Sequence, residues 1–259
     1  MLPIRDDIPA RRTPVVNYLL IAACTLAFLA QLMTPADRPS LVERYGMIPK
    51  RLSDPAEPVL LPEVELVRTP RGVAQREVFR EAAPAAVPPI ATLVTCVFLH
   101  GGWLHFLGNV WFLWIFGDNV EDRFGRLGYL LLYLGCGALA SLAHLMSAPH
   151  SPIPTIGASG AIAGVMGSYL LSYPHARVLA LLPLGIIFTT FVVPAPLFLG
   201  VWFLIQLYQG AASTGVETTG VAWWAHVGGF AVGAAATAAG SRTGLLRPTT
   251  PRRRLTLGS

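Results

Sequence analysis

Charged residues are scarce in this sequence. Asp, Glu, Lys and Arg make up 13% of its 259 residues, whereas an average soluble chain contains about 25%. Hydrophobic residues make up 53%, and the mean hydropathy is +0.55. Such a chain is too apolar to dissolve as one compact domain and too poor in charge for a disordered tail protein or a nucleic-acid binder. We therefore predict a protein of the lipid bilayer.

Several functional signatures are absent from the sequence. The three cysteines, Cys24, Cys96 and Cys136, lie singly in apolar runs without C-x-x-C spacing, which argues against a disulfide framework or a structural zinc site. There is no H-E-x-x-H motif, and no carboxylate lies in the interior of an apolar span, which disfavours metalloproteases, paired-aspartate proteases and most proton relays. No phosphate-cradling loop occurs either. We therefore expect no cofactor, no metal, no nucleotide and no nucleic-acid partner.

Long apolar stretches dominate the chain. A transmembrane helix needs about 20 mainly apolar residues, because its backbone groups must be hydrogen-bonded within the segment. We predict an all-α membrane protein whose bundle contains six transmembrane helices. The predicted spans cover about residues 15–33, 103–119, 127–147, 158–173, 195–208 and 221–240. Residues 178–193 are apolar but contain Pro183 and Gly185, so a re-entrant or interfacial hairpin fits them better than a crossing.

The spans divide the chain into three parts. Residues 1–14 are an N-terminal segment, residues 15–240 a membrane domain, and residues 241–259 a basic tail. Within the membrane domain, residues 34–89 form a long extramembrane loop with eight Lys or Arg and eight Asp or Glu.

The distribution of basic residues predicts the orientation in the membrane. The flanks on the side of the N-terminus contain 11 Lys or Arg, and the two short loops on the other side contain none. Basic flanks stay in the cytoplasm, so both termini are predicted to be cytoplasmic. The absence of secretory and transit signals, together with Asp6 and Asp7, favours a multi-pass protein of a prokaryotic plasma (inner) membrane.

Polar groups inside spans are costly and often functional, and four of those in the predicted spans coincide. His105 and Asn109 share one face of the second span, Ser159 begins the fourth, and His226 lies about one turn into the sixth. Because these three spans all begin at the outer face, the four side chains are expected at similar depth. A serine beside a histidine can act as a nucleophile with a general base, and Asn109 and His105 can donate hydrogen bonds to an oxyanion.

Two G-x-x-x-G patterns indicate how these spans meet. Gly160 and Gly164 lie in the fourth span, and Gly229 and Gly233 lie in the sixth, which allows the two backbones to approach closely. His226 shares the glycine face of its helix, so contact with Ser159 is expected. Each polar residue alone could serve only packing or hydrogen bonding, but their coincidence at one depth favours a site.

The residues at this site resemble the motifs of the rhomboid family of intramembrane serine proteases. The resemblance covers roughly residues 92–240 and rests on the runs HGGWLHFLGN at 100–109, GASG at 157–160 and AHVGG at 225–229. It implies a dyad of Ser159 and His226, an oxyanion hole of Asn109, His105 and the Ser159 N–H, and single-span membrane proteins as substrates. It also implies cleavage near the outer face, lateral access beside the fifth span, and a structural turn with Glu121 and Arg123.

One position departs from the pattern of that family. Relatives carry an aromatic residue one turn after the serine, where it stacks on the catalytic imidazole, whereas this chain has Ala163. What orients His226 is therefore open, with Trp223 and Trp224 as candidates.

Three of the histidines outside the four-residue site are expected at solvated or interfacial positions. His100, His144 and His150 lie near the outer ends of spans or in the following loop, where solvated or interfacial positions are the default.

A rhomboid-like binder that does not cut its partners stays open as an alternative function, although such proteins usually lack the serine or the histidine. A small transporter or channel also stays open, although no inverted repeat or intramembrane charge supports it.

Overall fold

The described part of the chain forms a bundle of five long helices with short helices and two small sheets at its ends. The computed structural model describes residues 2–35, 38–69, 72–184, 187–213 and 221–249. The long helices are α1 (Val15–Met33), α5 (Trp103–Ser147), α6 (Ser159–Ser172), α7 (Ala195–Ala212) and α8 (Trp223–Arg242). The short helices are α2 (Leu41–Tyr45), α3 (Pro49–Ser53) and α4 (Thr92–Thr95).

Helix α5 consists of two helical segments. Its 45 residues are interrupted at Gly125, where φ is 73° and ψ is 166°. A residue with a side chain rarely adopts this φ, and a Cβ at Gly125 would also lie 2.8 Å from the guanidinium of Arg247. The break falls where the sequence predicts the boundary between the second and third spans.

Three helices in the described part of the chain are long and apolar enough to cross a membrane, namely α1, α5 and α7. Helix α6 is apolar but has only 14 residues, and α8 has 20 residues that are rich in Ala and Gly. Large apolar side chains on the outer faces of α1, α5 and α7 are exposed, for example Leu26, Leu131 and Leu204. These faces suit contact with lipid. The count of six spans stays a prediction.

The expectation of an all-α fold needs correction, because the mostly helical fold also contains strands, five of them in the described ranges. Strands β1 (Leu2–Asp6), β4 (Arg177–Leu184) and β5 (Ile187–Pro194) form an antiparallel sheet in the order β1-β4-β5. Strands β2 (Leu60–Thr69) and β3 (Gly72–Glu81) form a hairpin in the long first loop. In β2, Glu63 and Glu65 alternate with Val64 and Leu66, a period-two pattern typical of a strand. Residues 178–193 form the hairpin of β4 and β5. Because Pro183 disfavours a helix here, the backbone groups are paired between strands instead.

One end of the bundle joins segments that are far apart in sequence. The Glu121 carboxylate accepts hydrogen bonds from the N–H groups of Val16 (3.1 Å) and Asn17 (2.8 Å), which otherwise lack partners in the first turn of α1. The Arg123 guanidinium donates to Ser241 Oγ at 3.1 Å, and its carbonyl accepts from the N–H of Arg247. Glu121 and Arg123 are helical and lie in the last turn of the first segment of α5, just before the break at Gly125, where they link α1, α5 and the chain that follows α8. The basic tail predicted for 241–259 continues beyond residue 249, and Arg252–Arg254 lie outside the described residues.

The long first loop packs at the opposite end of the bundle. Met47 and Thr155 form an isolated antiparallel bridge between this loop and the segment that precedes α6. His150, which is exposed, contacts the Asp54 carboxylate through Nδ1 at 2.7 Å. These contacts hold the loop above the start of α6.

Helix α6 lies at the centre of the bundle and packs closely on α8. A Cβ added to Gly229 would overlap the carbonyl oxygen of Gly160, and one added to Gly233 would overlap that of Gly164. The G-x-x-x-G patterns therefore have the predicted role, because both helices approach through their glycines.

Replacing Gly233 by alanine is expected to destabilise the protein. The new methyl group would meet a backbone carbonyl that cannot rotate away, which should lower the free energy of unfolding by about 1–3 kcal/mol. Gly135→Ala in α5 is the matched control, because nothing lies within 4 Å of its added Cβ. Thermal unfolding in detergent measures both variants. Equal melting temperatures for Gly233→Ala and Gly135→Ala would contradict this packing.

Asp6 anchors β1 to the bundle. Its carboxylate is 8% exposed and accepts hydrogen bonds from the Tyr169 hydroxyl (2.5 Å) and the Asn119 amide (2.9 Å). Burial raises the pKa of Asp6 to about 7, against the opposing effect of the Tyr169 hydrogen bond. The folded protein therefore holds a proton on Asp6 more tightly than the unfolded chain does.

Asp6→Asn is expected to reduce the pH dependence of stability. Because the folded pKa exceeds the ordinary value of 3.8, the contribution of Asp6 to stability is lost as pH rises from about 4 to about 7. Asparagine keeps the acceptor and does not ionise. The melting temperature of the variant minus that of the wild type should therefore increase over this range and then level off. Parallel curves of melting temperature against pH would disprove the assignment.

Candidate active site

Ser159 and His226 are in direct contact. Ser159 is the first residue of α6 and follows Gly157, whose φ of 121° turns the chain into the helix. His226 is the fourth residue of α8 and is buried. Its Nε2 lies 2.7 Å from Ser159 Oγ, within hydrogen-bond distance. The two side chains paired from the sequence therefore meet where α6 and α8 begin.

His105 lies beside this pair. Its Nδ1 accepts a hydrogen bond from the N–H of Gly101 at 3.3 Å, so the ring proton is on Nε2. A Cβ added to Gly157 would lie 2.6 Å from Nε2 and Cε1 of His105 and 3.7 Å from Ser159 Oγ. The N–H edge of His105 therefore lies against the turn that holds Ser159.

Asn109 follows His105 by one helical turn. Its side chain is buried, and its Nδ2 has no hydrogen-bond partner among the described residues. A buried donor without a partner costs free energy, typically about 1–3 kcal/mol, so such groups usually have a function. This amide is suited to donate to a group that enters the site.

A cavity of about 630 Å³ opens beside the serine and the histidine. Its wall contains His105, Ser159 and His226 from the predicted set; Asn109 is not among the lining residues. The remaining lining residues belong to the start of α5, to its far end, and to the segments before α6 and α8: Gly101, Leu104, His144, Ile153, Pro154, Thr155, Ile156, Val221 and Ala222. The cavity is large enough for several residues of an extended peptide.

Two histidines lie elsewhere than the sequence suggested. His100 and His144 are 2% and 4% exposed, so the expectation of solvated or interfacial positions is wrong for both. The His100 ring lies edge-on to Phe28 and Phe106, because residues 96–102 pack on α1. His144 lines the cavity, which its place at the end of an apolar stretch did not indicate. His150 is exposed, as expected.

Gln206 contacts the His226 ring, and sequence reasoning missed it. Its Oε1 lies 2.7 Å from His226 Nδ1. The signal was present, because Gln206 is a polar residue within an apolar span, the criterion that selected the other four.

Aromatic rings also flank His226, although Ala163 is fully buried and supplies none. Trp202 on α7 lies 5.8 Å from the imidazole, centroid to centroid, at an interplanar angle of 38°. Trp223 lies edge-on at 6.2 Å, so this candidate does contact the ring. Within the described ranges, no ring contact joins Trp224 to His226.

Comparison with known families identifies a match. The Rhomboid domain family matches residues 89–243, which is more than half of the chain and includes all four predicted site residues. It also includes Gln206 and Trp202.

Individual relatives agree with that match. Over 147 residues the chain is 33% identical to "Rhomboid protease GluP" of Bacillus subtilis, covering 57% of this chain and 25% of that protein. It is 30% identical to "Rhomboid protein 1, mitochondrial" of Saccharomyces cerevisiae, covering 55% and 39%. It is 37% identical to "Rhomboid-like protein 11, chloroplastic" of Arabidopsis thaliana, covering 36% and 34%. The chain thus spans about a quarter to two fifths of the length of these curated relatives.

Proposed function

This chain belongs to the rhomboid family, and we propose that it is an intramembrane serine endopeptidase that cleaves transmembrane segments of other proteins. The observation that carries the proposal is the 2.7 Å contact between Ser159 Oγ and His226 Nε2 beside a cavity. A relative named as a protease, GluP of Bacillus subtilis, supports it.

The proposed reaction begins with attack of Ser159 Oγ on the scissile carbonyl carbon. His226 Nε2 accepts the hydroxyl proton as the new C–O bond forms, and later donates that proton to the leaving amine as the C–N bond breaks. Water then attacks the acyl-enzyme with the same histidine as base, which releases the acid and restores the Ser159 hydroxyl. No carboxylate takes part in the dyad.

The negative charge on the carbonyl oxygen needs hydrogen-bond donors. We assign this role to Nδ2 of Asn109, Nε2–H of His105 and the backbone N–H of Ser159. Nδ2 of Asn109 has no partner among the described residues, and the His105 tautomer leaves its Nε2–H on the side of Ser159. The N–H groups of the first turn of α6 lack intrahelical partners and carry the positive end of the helix dipole.

The substrates we propose are single-span membrane proteins. A transmembrane helix buries its own carbonyl groups in hydrogen bonds, so a segment must unwind before Ser159 can attack. Segments with Pro or Gly unwind at lower cost. We place substrate access beside α7, whose packing is mainly on α8 and whose outward side chains, such as Leu204 and Tyr208, are exposed.

We further propose six spans with both termini in the cytoplasm and the site near the outer face. The N-terminal segment, the Glu121–Arg123 turn and the start of the tail lie together at one end of the bundle, which supports this arrangement. The expected prokaryotic plasma membrane stays a prediction, since the relatives include chloroplast and mitochondrial proteins as well as bacterial ones.

Ser159→Ala and His226→Ala are each expected to abolish cleavage of a model transmembrane substrate in liposomes. Both should also abolish labelling by a fluorogenic phosphonate that reacts with activated serines, because the nucleophile or its base is lost. Ser172→Ala, at the far end of the same helix, and His175→Ala, exposed in the turn after that helix, are matched controls that should keep wild-type rates. Wild-type cleavage by Ser159→Ala would refute the proposal. A folded wild type that neither labels nor cuts would favour a binder that does not cut its partners.

Asn109→Ala is expected to lower kcat by about 100- to 1,000-fold with little change in KM, as for loss of an oxyanion donor elsewhere. Asn109→Asp keeps the shape but presents no amide donor, so it should be equally impaired. The melting temperature of Asn109→Ala should fall little, because Nδ2 makes no hydrogen bond within the described structure. A kcat near the wild-type value in both variants would exclude Asn109 from the oxyanion hole.

A further inference from the structure

Gln206 is a buried amide in an apolar helix. It is 6% exposed, and α7 has a strongly apolar sequence around it, VWFLIQLY. An amide in this environment needs hydrogen bonds, because losing its contacts with water without replacement costs several kcal/mol on hydrocarbon scales. Its Oε1 lies 2.7 Å from Nδ1 of His226, which supplies one such bond.

The chemistry of the two groups fixes the direction of this hydrogen bond. An amide oxygen only accepts, so His226 Nδ1 must carry the proton and donate it. A neutral imidazole has one ring proton, and Nε2 is then free to accept from Ser159 Oγ, 2.7 Å away. The bond to Gln206 therefore selects the tautomer that a general base requires.

We propose that Gln206 is a positioning residue that holds His226 in the tautomer and orientation needed to accept the Ser159 proton. The proposal rests on the proposed protease function and adds a third polar member to the dyad. Three helices then contribute to one chain of hydrogen bonds: Ser159 from α6, His226 from α8 and Gln206 from α7.

A neutral residue suits this place better than a carboxylate would. An ionised acid at this depth in a membrane span would be costly, whereas an amide oxygen fixes the tautomer without a charge. The other titratable residues that line the cavity with His226 are His105 and His144, whereas its Nδ1 lies against the Gln206 amide oxygen. Because the acceptor lies on α7, the position of that helix decides whether the His226 ring is held.

The experiment compares three variants with the wild type. Gln206→Leu removes the acceptor, Gln206→Glu keeps an acceptor of the same length and adds a charge, and Gln209→Leu is the control, exposed on the same helix. The rates kcat and KM are measured with a transmembrane substrate in liposomes from pH 5 to pH 9. Histidine labelled with ¹⁵N reports the His226 tautomer by NMR in the same proteins.

Gln206→Leu is expected to lower kcat by about 10- to 100-fold with KM within about twofold, less than the loss that follows replacement of a triad carboxylate. Gln206→Glu should retain cleavage, with the acid limb of its pH profile moved about 1 pH unit higher, because a carboxylate favours the protonated imidazole. Gln209→Leu should match the wild type. The NMR spectrum should show the Nδ1–H tautomer in the wild type and its loss in Gln206→Leu.

Two outcomes would overturn the proposal: wild-type kcat and pH profile in Gln206→Leu, or an Nε2–H tautomer in the wild type. If Gln206→Leu does not fold, the NMR measurement on the wild type still decides. If wild type and Ser159→Ala cleave equally, the protease function fails, while the NMR measurement continues to test the Gln206 contact independently of proteolysis.

Discussion

The close approach of α6 and α8 is the constraint on which the rest of this site depends. Ser159 and His226 have short side chains, so they can meet only if the backbones that carry them are nearly in contact. Gly160 and Gly229 allow this, because a Cβ on Gly229 would overlap the carbonyl oxygen of Gly160. In lipid, no hydrophobic driving force brings two helices together. Close van der Waals contact between small residues such as these glycines supplies the attraction instead.

Buried polar side chains join the helices of this bundle through hydrogen bonds. Asn17 donates to the carbonyl of Leu113 and accepts from the Tyr129 hydroxyl, so it ties α1 to both segments of α5. Gln206 and His226 satisfy each other in the same way across α7 and α8. Asn109 differs, because its buried Nδ2 donates to nothing in the described structure and lies one turn from His105. It is one of the donors that we propose for the oxyanion.

The two ends of the bundle differ in structure: one joins the helices, and the other borders the cavity. At one end, β1, the Glu121–Arg123 turn and residues after α8 join the helices through backbone and side-chain hydrogen bonds. At the other end, the first loop and the segment before α6 border the cavity, and Thr155 belongs both to the cavity wall and to the bridge with Met47. The end with β1 holds the helices together, and the cavity opens at the other end, where α6 and α8 begin.

The sequence by itself determined the apolar stretches, the contact of Ser159 with His226 and the role of the glycine pairs. Each of these follows from a local signal: a run of apolar residues, a polar residue inside it, or glycines four apart on one helical face. Only the tertiary structure decided that Gln206 and Trp202 contact the imidazole, that β1 pairs with β4, and that His144 lines the cavity. Those partners are separated by about 20 to more than 170 residues, and periodicity carries no information on which distant backbone groups will pair. Ala163 shows what the sequence could not predict. The sequence revealed that α6 carries no ring at this position, but the groups that contact His226 instead lie mainly on α7. Packing sets the rotation of α7 about its own axis, so only the tertiary structure identifies them.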